Sequence, residues 1–506
     1  MDLPYDKKSP ESIETYAKDL IDKSFQDVIN QSIYNVSSVR ESSFTYGNTS
    51  RKGGLGNLLE KYYFGYEPNS DSQADFPDAG VELKVSPYEI KKNGKISAGE
   101  RLVLTMINFN QEVEPDFFNS HVWTKCKLML LIYYLRDKTL ASNLDYIIKY
   151  AQLFEFPEED IAIILNDYKI IIDKILHGKA HELSESDTLY LGACTKGATA
   201  EKSLVSQKYN SDVLAKSRAF CLKTSYMTYI LNNYIVPGKK TYRPSLVTSK
   251  ELHNKDFATI LQEKLSKYID WYEDDIAESL DIEINKSNKS YEATLIYNML
   301  GVKNTHIEEF DKAGIIVRII KYRLNKSKNQ QFRLDDINFM ELDAEPFDAD
   351  VFDEDGNAVG WESSKVYDLL GNTKYLFAVF WEDENGSIFK GSQLWGMPDN
   401  DLEIVRNAWS RTKNVVREGV KLQIEPFGKT VRVTNNLPGM SDNGIFHIRP
   451  HAEKSYYVFS DGRTFGAGGL SDSTQLPSGE RITKQSYWLN RSYIDNQIDK
   501  SLKKEY

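Results

Sequence analysis

The stretch Asp75-Phe-Pro-Asp-Ala-Gly-Val-Glu-Leu-Lys84 sets two carboxylates and an amine at a spacing that suits phosphodiester hydrolysis. Val81, Leu83 and Val85 alternate with Glu82 and Lys84. That period of two predicts a short strand after Gly80, with the apolar set buried and the acid and amine side by side on the other face. Asp75, on the turn leading in, reaches the same pocket. Two carboxylates suit Mg²⁺, which takes oxygen ligands, keeps several waters and relies on substrate phosphate for the rest. The cation would clamp the phosphate and acidify a bound water, while the lysine orients that water and offsets developing charge. An acid followed by Glu-x-Lys recurs by chance in a chain where 27% of residues are charged, so the surrounding elements carry the weight.

Apolar residues at helical spacing, Ile13, Tyr16, Leu20, Ile21, Phe25, Val28 and Ile29, predict one amphipathic N-terminal helix over 11–34. Residues 37–52, rich in Ser, Thr, Asn and Arg, read as a loop. Lys52-Gly-Gly-Leu-Gly then opens a helix through Leu58-Leu59-Glu60. A glycine turn at a helix start can cradle phosphate, but the Gly-Lys-Ser/Thr of a nucleotide-binding loop is missing, which excludes nucleotide binding there.

With 506 residues the chain exceeds what one core serves, so two or three domains are expected. Hydrophobic content of 41% and aromatic content of 12% describe globular domains. The apolar run Leu128 to Leu135 is too short to span a bilayer, and Met1 to Lys8 has no apolar signal segment. Three cysteines, Cys126, Cys194 and Cys221, form neither a metal spacing nor a disulfide framework, so a reduced, cytoplasmic protein is expected. The net charge of -11 argues mildly against a nucleic-acid partner, but it is a sum over the whole chain, and a cleft can be locally basic on an acidic protein.

Taken together, these residues resemble the MutH and Sau family of endonucleases acting at GATC sites in DNA. The resemblance covers the glycine turn into Leu58-Leu59-Glu60, the Asp75-Phe76 entry, Gly80-Val81-Glu82-Leu83-Lys84, and Asn119-Ser120-His121-Val122 followed by Lys125. It continues through a helix from Pro157 to Gly178, the strand-like Leu189-Tyr190-Leu191, and Phe220-Cys221-Leu222-Lys223 before a final helix. The resemblance implies that Asp75, Glu82 and Lys84 are the catalytic triplet, with Asp75 and Glu82 as metal ligands and Lys84 as the water-positioning amine. It implies that Glu60 assists metal binding and that Lys52 and Lys125 lie at the active site or the DNA backbone. The chain departs from the family where DNA is read. The family's Ile-Arg-Pro-Lys segment corresponds to Ala193-Cys194-Thr195-Lys196, keeping Lys196 but not the arginine, and Cys221 replaces an aromatic residue associated with methylation sensing.

Residues 235–250, rich in Pro, Gly and basic residues, read as a linker. Beyond them the first half recurs. Pro157, Tyr168 and Gly178 return as Pro398, Trp409 and Gly419, each displaced by 241 residues. Phe76 and Ala79-Gly80 return as Phe310 and Ala313-Gly314, Ser120-x-Val122 as Ser364-x-Val366, and Leu222 with Tyr226 as Leu489 with Tyr493. The acids do not return. Aligned on the shared glycine, Glu82 becomes Ile316, Lys84 becomes Arg318 and Asp75 becomes Glu309, while Glu60 becomes Ile296. Isoleucines cannot hold magnesium, so the second half is expected not to cut. Ile448-Arg449-Pro450-His451 nonetheless matches the readout segment, Trp488 stands at the aromatic position, and an arginine fork suits guanine in the major groove.

The expected architecture is α/β, a restriction-endonuclease-like mixed sheet flanked by helices, in two tandem MutH-like domains: 1–234 catalytic, 235–250 linker and 251–506 catalytically inactive and DNA-binding. The expected function is a Mg²⁺-dependent type II restriction endonuclease cutting double-stranded DNA at GATC, its second half engaging a further site as effector. One active centre per chain implies DNA-dependent pairing of two chains or sequential nicking. The alternatives are a methyl-directed repair nickase and a non-catalytic DNA-binding regulator.

Overall fold

The computed structural model describes residues 3–31, 54–67, 73–91, 94–196, 203–236, 257–282, 290–302, 307–323, 332–352, 358–428 and 430–503. The chain divides into two compact units. The first comprises Met1–Ile260, Asn304–Ile315 and Asp348–Gly360; the second comprises Leu261–Lys303, Ile316–Phe347 and Trp361–Tyr506.

The N-terminal periodicity yields two helices, α1 (Pro10–Lys18) and α2 (Phe25–Gln31), instead of the single helix expected over 11–34. Between them Asp22 adopts a left-handed φ of 65°. Its N–H donates to the carbonyl of Ile148 at 2.8 Å, and the Ile148 N–H returns a bond to Lys23 at 3.0 Å. Ser24 and Asp27 cap the restart reciprocally, Ser24 N–H to the Asp27 carboxylate at 2.9 Å and Asp27 N–H to Ser24 Oγ at 3.0 Å. Hydrogen bonds to a distant strand edge thus replace those that would have continued the helix. Ile13, Ala17, Leu20, Phe25, Val28 and Ile29 still reach one core, which is why the period persists across the break.

Helix α3 (Gly54–Leu59) runs into a π-helical turn, Glu60–Phe64, closed by Gly65 at φ 76°. Leu55, Leu58, Leu59 and Phe64 are buried on either side of Glu60. At about 1.5–3 kcal/mol for each such side chain, this burial fixes the turn that carries the acid.

Next come β1 (Glu82–Ile90), β2 (Ile96–Ala98), β3 (Leu102–Ile107), α4 (His121–Cys126), β4 (Met129–Leu135), β5 (Ile147–Phe154) and α5 (Glu158–Leu176). β6 (Leu191–Thr195), the hairpin β7 (Leu204–Gln207) and β8 (Asn210–Lys216), β9 (Arg218–Leu222) and α6 (Thr224–Ile230) follow. One sheet has the order β2-β1-β4-β5. Within it β1 and β4 run parallel and the other neighbours antiparallel, the expected mixed sheet. Continuous burial of Met129 to Tyr133 on β4 reflects cover on both faces. A second sheet, β3-β9-β6, is antiparallel.

In the second half, α7 (Tyr291–Met299) precedes β10 (Ile315–Arg323), β11 (Phe332–Asp336), α8 (Lys365–Leu370), β12 (Lys374–Glu382), β13 (Ser387–Trp395) and α9 (Asp399–Glu418). A hairpin of β14 (Gln423–Phe427) and β15 (Thr430–Thr434) leads to β16 (Phe446–Pro450). Four short strands, β17 (Tyr457–Val458), β18 (Thr464–Phe465), β19 (Ser473–Gln475) and β20 (Arg481–Thr483), form their own sheet before β21 (Gln485–Leu489) and α10 (Arg491–Gln497). The remaining sheets are β10-β12-β13 and antiparallel β11-β21-β16.

The recurrent residues do the same physical jobs in both halves. Ser120 and Ser364 cap α4 and α8 by accepting from Trp123 N–H and Tyr367 N–H. Pro157 and Pro398 stand at the N-caps of α5 and α9. Tyr168 and Trp409 are the buried anchors of those helices, donating to the carbonyl of Glu114 and the carboxylate of Glu345. Gly80 and Gly314, at φ 67° and 65°, make the left-handed turns before β1 and β10. Among the described residues no helix is long and apolar enough to cross a membrane.

Candidate active site

The turn before β1 folds back on the strand it launches. Phe76 and Val81 exchange backbone hydrogen bonds at 2.9 and 3.2 Å, and Gly80 supplies the positive φ that this tight return requires. Phe76, Val81 and Leu83 are buried in the core shared with α1 to α3. The loop is thereby pinned, and its carboxylate lands on the first residues of the strand. Asp75 accepts the Leu83 N–H at 2.9 Å, while the Asp75 N–H donates to Glu82 Oε2 at 3.3 Å.

Glu82 and Lys84 do lie side by side on one face of β1, with Lys84 Nζ 2.9 Å from Glu82 Oε1. The other carboxylate oxygen of Glu82 meets Lys125 Nζ at 3.1 Å. Lys125 comes from α4, which Ser120 caps and which β4 follows, and its ammonium also donates to the Gln73 carbonyl at 2.6 Å. The parallel pairing of Glu82 with Met129 and Lys84 with Leu131 keeps both helix end and strand in register. Glu82 is only 2% exposed. Its burial is tolerable because both oxygens are paired and hydrogen-bonded.

Burial, then the neighbouring charge of Glu82, pushes the Asp75 carboxyl up to about 6, against the pull of Lys84 and Lys125. An acid so placed gains when a cation arrives. Burial, then the charges of Asp75 and Glu60 and, more weakly, of Glu82, hold the Tyr66 phenol above its ordinary range. Among the described residues no three acidic, histidine or cysteine side chains converge into a ready-made metal cluster. The donors in contact are therefore two carboxylates, the number with which Mg²⁺ is commonly held. Lys52 lies outside the described residues.

The chain compares closely with a restriction enzyme. It is 35% identical over 477 residues to the type II restriction enzyme Sau3AI of Staphylococcus aureus, covering 88% of this chain and 92% of that protein. The chain belongs to the Sau3AI family of restriction endonucleases. The family model described as DNA mismatch repair enzyme MutH matches residues 64–167, which contain Asp75, Glu82, Lys84 and Lys125. The family's restriction-endonuclease-like fold accords with the mixed sheet and flanking helices described above.

The positions expected to read DNA lie on the antiparallel sheets. Strand register pairs Cys194 with Ala219 and Gly192 with Cys221 in the first unit, and Arg449 with Ser486 and His447 with Trp488 in the second. Cys194 and Arg449 hence occupy equivalent rungs, as do Cys221 and Trp488. Arg449 is exposed, its guanidinium 5.0 Å over the Trp488 ring. Lys196 follows β6 and its N–H donates to the Ser217 carbonyl at 2.8 Å.

Sequence reasoning missed the residue that holds this region together. Asp167, fully buried on α5, accepts the N–H groups of Leu189, Tyr190 and Leu191 at 2.8, 2.6 and 2.9 Å. Lys223 donates to the carbonyl of Thr188 at 2.6 Å beside it. The signal was available: an acid interrupts the otherwise apolar stripe of Ile163, Ile164, Tyr168, Ile171 and Ile172.

Proposed function

We propose that this chain is a Mg²⁺-dependent type II restriction endonuclease that hydrolyses both strands of DNA at GATC. The observation that carries the reading is the contact set Asp75–Glu82–Lys84, a pinned carboxylate pair with an ammonium 2.9 Å from one of them. Asp75 and Glu82 would hold the cation, with Glu60 assisting from its turn. Magnesium bound there would acidify a coordinated water and draw charge from the scissile phosphate. Lys84 orients the attacking water and offsets the negative charge that builds on phosphorus. Lys125 holds the second oxygen of Glu82, and Lys52 and Lys196 would supply contacts to the DNA backbone.

In this reading residues 1–234 cut, 235–250 link, and 251–506 form a tandem, inactive copy that binds a second GATC through Arg449. Two chains then pair on DNA so that two active centres address two strands. The extent of similarity to Sau3AI, reaching across both halves, favours restriction over a single-domain repair nickase. Incubation with unmethylated plasmid and Mg²⁺ followed by mapping of fragment ends tests it. Double-strand ends at GATC are expected; nicks alone would point to the repair reading, and intact plasmid to a binding regulator.

A further inference from the structure

Between the Glu60 turn and Phe76 lies a polar group with no assigned task. The hydroxyl of Tyr66 is buried and has no hydrogen-bond partner among the described residues. The side chain is not placed there loosely. The Tyr66 N–H donates to the Glu60 carbonyl at 3.0 Å, directly after the left-handed Gly65, so its backbone is tied to the turn that carries one acid. Its ring packs edge-on against Phe76, centroids 5.4 Å apart and planes at 80°, so its side chain is tied to the turn that carries the next. Held at both ends, the phenol lies within electrostatic reach of Asp75, Glu60 and Glu82.

A buried, unpartnered hydroxyl is unfavourable unless a ligand completes it. No carboxylate of the described residues lies within hydrogen-bond distance of this hydroxyl, and ionised carboxylates donate none, so a donor to the Tyr66 oxygen has to come from a bound species. Water in the shell of a divalent cation is such a donor, because coordination polarises its O–H bonds. Burial first, then the three carboxylates, keep the phenol protonated, so it stays a neutral acceptor that adds no charge.

We infer that Tyr66 is a positioning residue of the metal centre, its hydroxyl oxygen accepting a hydrogen bond from a water of the divalent cation held by Asp75 and Glu82. The inference rests on the nuclease reading above and adds the residue that orients the cation's water shell from the Glu60 side.

Tyr66→Phe removes the oxygen and keeps the ring on Phe76. Calcium is the probe: it accepts the same ligands and is expected to support DNA binding without turnover. Fluorescence anisotropy of a GATC duplex, titrated with Ca²⁺ at fixed protein, gives the half-saturating Ca²⁺ concentration. Loss of one such hydrogen bond should raise it about three- to tenfold in Tyr66→Phe. Affinity for the same duplex in EDTA should not change, and the melting temperature should hold or rise, since an orphan hydroxyl has been removed. Equal Ca²⁺ half-saturation in parent and variant overturns the inference. So does an EDTA affinity that falls by the same factor, which would mean that the hydroxyl meets the DNA itself. If the parent shows no Ca²⁺ dependence at all, it is the metal-dependent nuclease reading that fails.

Discussion

Two turns in this molecule are built alike and end differently. Gly80 and Gly314 share a left-handed φ, and each launches a nine-residue strand. After Gly80 the second residue is Glu82, 2% exposed and paired with two lysines; after Gly314 it is Ile316, 41% exposed. Lys84 faces its acid, whereas Arg318 lies over the rings of Phe332 and Tyr375 at 5.7 and 5.8 Å. The antiparallel sheets proposed to read DNA differ in the opposite sense, with Cys194 and Cys221 buried in the first unit where Arg449 and Trp488 stack in the second. The scaffold tolerates an exchange of chemistry at fixed positions because the φ-positive glycine, the capping serine and the strand register are set by other residues.

The largest expected effect breaks the first turn. Glu82→Gln, Asp75→Asn or Lys84→Ala should each lower the cleavage rate by at least about 10²- to 10³-fold, while duplex binding in EDTA persists, because metal-free affinity comes from phosphate and base contacts. Single-turnover cleavage beside a gel-shift measures both. A variant of this set that cuts at the parental rate would remove the assignment.

Next in size is the sheet proposed to bind the effector site. Arg449→Ala should weaken effector-duplex binding about tenfold to a hundredfold, the worth of one bidentate guanine contact. Plasmids with several sites should then be cut at the single-site rate, and added GATC oligonucleotide should no longer stimulate.

A smaller, graded effect follows from Asp75. Its carboxyl titrates near 6 in the fold against an ordinary 3.8, so the folded state binds the extra proton between those values. The stability it contributes is complete below the ordinary value and lost as pH rises through about 6. Metal-free protein should accordingly lose stability over that rise. Ca²⁺-supported DNA binding should run the other way, weakening up to about tenfold per unit as pH falls below the titration. Melting curves and anisotropy across this window check both signs.

The smallest effect sharpens the comparison by doing nothing. Ile316→Glu restores one acid at an exposed position, so stability should change by no more than about 0.5 kcal/mol. Combined with Glu82→Gln it should recover no cleavage, since the second turn lacks the remaining groups. Recovered cutting would show that the second unit retains a latent centre.

Much of the site was legible because strand alternation is a local rule. Val81, Leu83, Glu82 and Lys84 declare their faces without reference to anything distant. The proline-headed helices and their buried Tyr168 and Trp409 were likewise local, and repetition at a constant offset made them stand out. What stayed hidden depends on pairings far apart in sequence. The helix break at Asp22 is made by Ile148, and Asp167 finds its three N–H groups more than twenty residues on. Lys125 joined the site only by resemblance, because nothing local in α4 tells that its ammonium meets Glu82.

The lysines on Glu82 have a consequence for timing. Asp75, Glu82, Lys84 and Lys125 sum to zero charge, so this contact set, with Glu60 outside it, is electrically balanced before any cation enters. A lone divalent ion would leave it two charges in excess, and a lone phosphate one charge short. Each is poorly received alone, and each improves the reception of the other, so that occupancy requires their coincidence. In the proposed Mg²⁺-dependent enzyme, such a centre would stay idle in a magnesium-containing cell until a DNA backbone reached it.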